Sequence, residues 1–169
     1  MNTNIEARNV KLITLTVIIV MSSSLFLWAK TDEVVPYPKG YLKWTHIKKE
    51  TMQSQNAERK GKTTIYHIYA NEKAVEGYRT RKFADGSMIV SVFYDTKETD
   101  GKLEETTRLA VAVMAKDSKR FASTGGWGFE QFKGDSEIER MLNAEGVAGC
   151  YGCHSKQKEQ DLVYSTFSR

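Results

Sequence analysis

The pattern along Thr63–Tyr69 (TTIYHIY) is β-branched and aromatic throughout, which predicts a strand. Asn71 follows at once and is suited to cap a short helix through Gly77, with Glu72 and Glu76 inside it. Asp85-Gly86 marks a turn, Ser87–Tyr94 (SMIVSVFY) predicts a second strand, and Asp100-Gly101 marks the next turn. Thr106–Ala115 (TTRLAVAVMA) and Trp127–Phe132 predict a third and a fourth strand. Between them Lys116–Ala122 reads as a polar helical turn closed by Ser123-Thr124-Gly125-Gly126. Ser136–Ala144 carries Ile138, Met141 and Leu142 at helical spacing behind acidic residues, so a helix is expected there. Leu162–Phe167 (LVYSTF) alternates again and predicts a closing strand. Upstream, Leu42, Trp44 and Ile47 show a mixed period, that of a short helix passing into extended chain, and polar Gln53–Lys62 is expected to be a loop. Four or five antiparallel strands with short helices make an α+β domain that is mainly antiparallel sheet.

The N-terminus follows a different pattern. Behind Arg8 and Lys11, Leu12–Ala29 forms an uncharged stretch of 18 residues interrupted by three serines. Its length sits between a signal-peptide core and a membrane-spanning helix, which needs about 17–25 residues. Because Ser22-Ser23-Ser24 is a poor cleavage signal and no A-x-A site precedes Lys30, an uncleaved hydrophobic helix is the favoured expectation over a removed signal. The chain then divides into a basic N-terminus (1–11), an anchor or signal (12–29), a linker with Pro36 and Pro38 (30–39) and a folded domain (40–169). Basic residues ahead of the stretch orient that end to the cytoplasm, so the domain is expected on the periplasmic side of a bacterial cytoplasmic membrane, or free in the periplasm after cleavage.

The 169 residues carry a modest net charge of +4, with basic residues concentrated between Lys39 and Lys62. Such a segment suits anionic lipid or an acidic redox partner, and equally an ordinary solvated surface. Nucleic acid is excluded as a partner, since an exported chain without a binding motif gives it no role.

Chemistry concentrates at Cys150-Tyr151-Gly152-Cys153-His154, which contains both cysteines of the chain. C-x-x-C-H is the pattern that attaches haem c: two thiols add across the vinyl groups to give two thioethers, and the adjacent histidine ligates iron. Cys150, Cys153 and His154 are therefore candidate cofactor-binding residues, with His154 the metal ligand. A redox-active thiol pair and half a zinc site are the rivals. Zinc lacks a second ligand cluster, as His46 and His67 fall at no zinc spacing, and both prolines lie far upstream of the position a thioredoxin-like site needs. The residues after His154 include no methionine or histidine, so any second axial ligand must come from Met52, Met88, Met114, Met141, His46, His67 or a lysine.

Three blocks, IYANEKAVEGYRTRKFADGS at Ile68–Ser87, KDSKRFASTGGWGFEQFKGD at Lys116–Asp135 and the CYGCH motif, together resemble the cytochrome P-460 family over about Tyr37 to Phe167. The resemblance implies a mostly antiparallel β domain holding a c-type haem near its C-terminus, often as a homodimer. Cytochromes P-460 proper oxidise hydroxylamine and carry a lysine cross-linked to the porphyrin just before an F-x-D-G turn. The related cytochromes c′-β lack the cross-link and bind nitric oxide in an apolar pocket. Here the turn is Phe83-Ala84-Asp85-Gly86, and the lysine position falls on Arg79, which cannot form that bond; Lys82 lies nearby. Glu130, as a proton shuttle or equally a surface carboxylate paired with a lysine, and Arg79, which with Arg81 suits a haem propionate or equally an ordinary surface position, are the candidate catalytic residues. Phe83, Phe93 and Phe121 are candidates for an apolar cap. The expected function is a c-type cytochrome serving electron transfer or binding small nitrogenous ligands, with a hydroxylamine or nitric oxide oxidoreductase as the alternative and a haem-free thiol oxidoreductase as the remaining rival.

Overall fold

The computed structural model describes residues 34–54 and 57–167. Five strands, β1 (Thr45–Gln53), β2 (Thr63–Ala70), β3 (Met88–Thr99), β4 (Lys102–Lys116) and β5 (Trp127–Lys133), form one antiparallel sheet in the order β1-β2-β3-β4-β5. Helix α1 (Glu72–Thr80) joins β2 to β3, and α2 (Ala144–His154) follows β5 and runs into a 3-10 turn at Ser155–Gln160. The stretch Leu12–Ala29 lies outside the described residues, and among those described no helix is long and apolar enough to cross a membrane.

The cap expected at Asn71 is present and does more than start a helix. Its Oδ1 accepts from Ala74 N at 2.9 Å and from Met88 N at 3.1 Å, while its Nδ2 donates to Gly86 O at 2.9 Å, so one side chain ties the start of α1 to the start of β3. Gly77 is required inside α1 because a Cβ there would come within 2.2 Å of the Phe83 ring.

Strand alternation divides the core into two faces. On one, Val90, Val92, Val111, Val113 and Phe132 pack under Val35 and Tyr41 from the segment ahead of β1. On the other, Ile68, Ile89, Phe129 and Trp127 meet α1 through Ala74 and the C-terminal segment through Leu162 and Val163. Each fully buried large apolar side chain contributes about 1.5–3 kcal/mol, and both faces draw on it.

Two predicted elements are not what form. Ser136–Ala144 is no helix: Met141 N bonds Gln131 O at 2.7 Å and Lys133 N bonds Glu139 O at 3.0 Å, so this segment borders β5 in extended form and leaves Ile138 87 % exposed. Helical spacing alone had no surface there to bury against, and the helix begins only at Ala144. Leu162–Phe167 is no strand either, because the N–H groups of Leu162 and Val163 close local turns onto Gln157 O and Gln160 O. The fifth strand is instead β1, pairing with β2. Strands β3 and β4 outrun their predicted ends through a polar hairpin, Thr96↔Glu105 to Thr99↔Lys102, that no hydrophobic alternation announces.

Candidate functional site

Asn143 starts α2 by accepting from Gly146 N at 2.9 Å, and the helix carries Cys150 and Cys153 three residues apart in its C-terminal half. That spacing sets both thiols on one side of the helix. They are unbridged, Cys150 half-buried and Cys153 exposed. Burial, then the neighbouring Cys153, then Glu130 push the Cys150 thiol above its ordinary pKa. A reactive thiol pair uses the positive N-terminus of a helix to stabilise thiolate; these thiols sit toward the negative end.

His154 ends the helix with its Nδ1 2.7 Å from Leu162 O. A carbonyl can only accept, so Nδ1 carries the proton and Nε2 keeps its lone pair for a metal. The ring is held between Phe129, 5.2 Å away centroid to centroid, and Tyr164, 5.3 Å away, while Tyr164 Oη donates to Cys153 O at 2.9 Å.

Beside this imidazole a cavity of about 530 Å³ opens between the sheet and the C-terminal segment, walled by Ile68, Ile89, Phe93, Met114 and Val163. A second space of about 220 Å³ shares Ile89, Phe93, Met114 and His154 and reaches Leu142 and Cys150. Polar groups gather at one edge: Tyr66 Oη donates to Glu50 at 2.5 Å and Lys48 Nζ donates to the same carboxylate at 2.6 Å. Lys48 and Tyr66 hold the Glu50 carboxyl below its usual range, and burial, then Glu50, pushes the Tyr66 phenol up to about 12.

The donor set fits haem. One helix carries two thiols on one side and a histidine with a free Nε2; the histidine lines a cavity within the 300–1,000 Å³ usual for cofactors, and the histidine and Cys150 together line the smaller space beside it. Among the described residues no group of three or more His, Cys, Asp or Glu is arranged to hold a bare metal ion.

The remaining candidates scatter. Arg79 lies in the last turn of α1, exposed, paired with Glu76 at 3.0 Å. Glu130 borders the smaller space, but its carboxylate is taken by Arg140 and by Gln131 N at 2.9 Å. Of the predicted axial ligands, Met52 and Met114 line the large cavity. Met88 packs on the opposite face, Met141 is half exposed, and His46 and His67 bond each other at 3.0 Å. Phe93 lines both spaces, Phe121 belongs to the other face, and Phe83 is buried against Trp127. Sequence reasoning missed the Leu162 carbonyl, which as backbone has no residue signature, and the Tyr66–Glu50–Lys48 group, whose only sequence trace is shared strand parity.

Residues 38–165 match the model of the cytochrome P460 family. The chain belongs to the cytochrome P460 family. Membership makes it a haem-binding cytochrome and agrees with the resemblance carried by the three sequence blocks. No curated protein matches the chain.

Proposed function

We propose that the protein is an exported c-type cytochrome whose haem is attached by thioethers to Cys150 and Cys153, ligated by His154, and used to bind small nitrogenous ligands such as nitric oxide. One observation carries the reading: His154 keeps Nε2 free beside a cavity where Ile68, Ile89, Phe93 and Val163 form an apolar part of the wall and no second imidazole is among the lining residues. Attachment adds the S–H of each thiol across one vinyl group, so atoms balance without an oxidant. Bound haem would supply an iron atom that takes diatomic ligands or passes one electron. The chain's part is to orient: Leu162 fixes the His154 tautomer, and Phe129 and Tyr164 fix its plane. Arg79 is paired with Glu76 and Glu130 with Arg140, so this reading assigns neither of them a role, and the Arg79 position lacks the amine a cross-link would use. Export through Leu12–Ala29 suits covalent attachment outside the cytoplasm.

A second reading, an electron carrier, rests on Met114, a thioether in the walls of both spaces beside His154. The optical spectrum of the reduced protein with and without nitric oxide, beside a pyridine haemochrome assay, separates them. A c-type haemochrome with a high-spin ferrous spectrum that changes promptly with nitric oxide is expected. A low-spin spectrum indifferent to the gas, converted to high spin by Met114→Leu, would establish the carrier instead. Absence of covalent haem would overturn both. His154→Ala is expected to leave haem attached and alter the ferrous spectrum; an unchanged spectrum would remove His154 as ligand.

A further inference from the structure

Asp161 and Leu162 are consecutive non-glycine residues with positive φ, 49° and 66°, and the second presents the carbonyl that accepts the His154 Nδ1 proton. Left-handed backbone is tolerable for aspartate and unfavourable for leucine, so this turn persists only because its surroundings hold it. Beside the local bond from Leu162 N to Gln157 O, the contacts from other elements converge on Asp161. Its Oδ1 takes Lys116 Nζ at 2.6 Å and its Oδ2 takes Phe83 N at 2.9 Å. Its backbone carbonyl takes Trp127 Nε1 at 2.8 Å. Lys116, with its side chain 8 % exposed, also donates to Gly125 O at 3.3 Å and stands 5.1 Å from the centre of the Trp127 ring. Gly125 sits at φ 68°, a conformation that favours glycine, and a Cβ there would push on Leu162 Cδ1 at 2.9 Å.

Burying a lysine is costly, and an ion pair in such a place is weak evidence for stability by itself. Its position suggests another use. Lys116 ends β4 and Trp127 begins β5, so the two rigid strand ends grip the turn that aims one carbonyl at the proximal histidine. We infer that the Lys116–Asp161 pair, with Trp127, is a positioning device that sets the strength of the His154–Leu162 hydrogen bond and through it the electron donation of the imidazole to haem iron. A strong bond from Nδ1–H to a fixed carbonyl makes the ring more basic and favours ferric over ferrous iron. A loosened turn weakens that bond and shifts the midpoint potential upward.

The inference rests on the proposed haem ligation, and the test separates the two. Midpoint potentials are measured by spectroelectrochemistry on the covalently loaded protein for the native chain, for Lys116→Met/Asp161→Asn, which removes both charges together, and for Trp127→Phe, which removes the indole hydrogen bonds to the Asp161 carbonyl and carboxylate and leaves a smaller ring facing Lys116. Arg59→Met/Asp95→Asn, which deletes a two-bond ion pair near the start of β2, is the control for general loosening. The expected result is an upward shift in both positioning variants, larger in the double variant, and an unmoved control. Should the double variant fail to fold, the shift in Trp127→Phe still decides. Potentials equal to the native value, or the same shift in the control, would overturn the positioning role while leaving haem ligation intact. A native chain that carries no covalent haem would overturn the ligation reading itself.

Discussion

The two faces of the sheet are built from the same strands and end up opposite in character. On the closed face Val90, Val92, Val111 and Val113 run across β3 and β4, all at or below 2 % exposure, sealed by Val35, Tyr41 and Phe132. On the open face the corresponding positions are Ile89, Ser91, Ala112 and Met114, and Ser91 pairs with Ala112 at the centre. A small hydroxyl and a methyl stand where valines stand behind them. Space for a flat cofactor is therefore written into alternate residues of two strands, and the volume left by Ser91 and Ala112 is roofed by His154 and the C-terminal segment. The closed face supplies the rigidity that lets its counterpart stay under-filled.

The sharpest way to break this comparison is to truncate one aromatic on each face. Phe132→Ala, fully buried on the closed face, is expected to lose about 3–5 kcal/mol in urea denaturation of the haem-free protein. Phe93→Ala, lining the cavity, is expected to lose only about 1 kcal/mol. Equal losses would mean that the open face is packed as tightly as the closed one.

Over-filling tests the same contrast from the other side. Ala115→Leu, on the closed face, should cost about 1–3 kcal/mol because no space exists to take the added carbons. Ala112→Leu projects toward the cavity and should leave the haem-free protein within about 1 kcal/mol of native while sharply lowering haem incorporation. Full incorporation in Ala112→Leu, measured by pyridine haemochrome per chain, would show that this space is not the cofactor's.

The smallest effect lies beyond the closed face's apolar core. Burial, then the charges of His67 and Lys49, hold the His46 imidazole below its ordinary pKa of 6.5. The unfolded chain therefore binds a proton at that site before the folded one does. This contribution is present above about pH 6.5 and fades as pH falls through the lower folded value. Because His46 is largely exposed, solvent screening limits it to a few tenths of a kcal/mol. Haem-free His46→Phe should accordingly show a flatter stability profile between pH 7.5 and 5.5 than the native chain; parallel profiles would assign the dependence elsewhere.

Much of this architecture was legible beforehand for local reasons. Strands β2 and β5 were readable almost to the residue, because each is rich in β-branched or aromatic residues, and Asn71 declared its cap by position alone. The helix expected over Ser136–Ala144 failed because periodicity carries no information about which surface is available, and Met141 instead bonds back to β5. The polar end of the β3–β4 hairpin escaped notice for the converse reason, as its pairing lies in backbone hydrogen bonds that leave no trace in hydropathy. At the site, Cys150, Cys153 and His154 stood out from spacing as one cluster, while Arg79 and Glu130 had no such pattern, and each is found with an ion-pair partner.

By itself the sequence determined the local facts: which segments alternate, where Asn71 caps, and that two thiols and an imidazole share one short run. Those follow from covalent spacing and from preferences that act over a few residues. Tertiary structure decided which face of the sheet would be filled and which left open, that Leu162 rather than a side chain would hold His154, and that Lys116 and Asp161 would meet across 45 positions. Such choices depend on segments far apart in the chain competing for the same surface and on backbone carbonyls common to every residue, so they exist only once the chain has closed on itself.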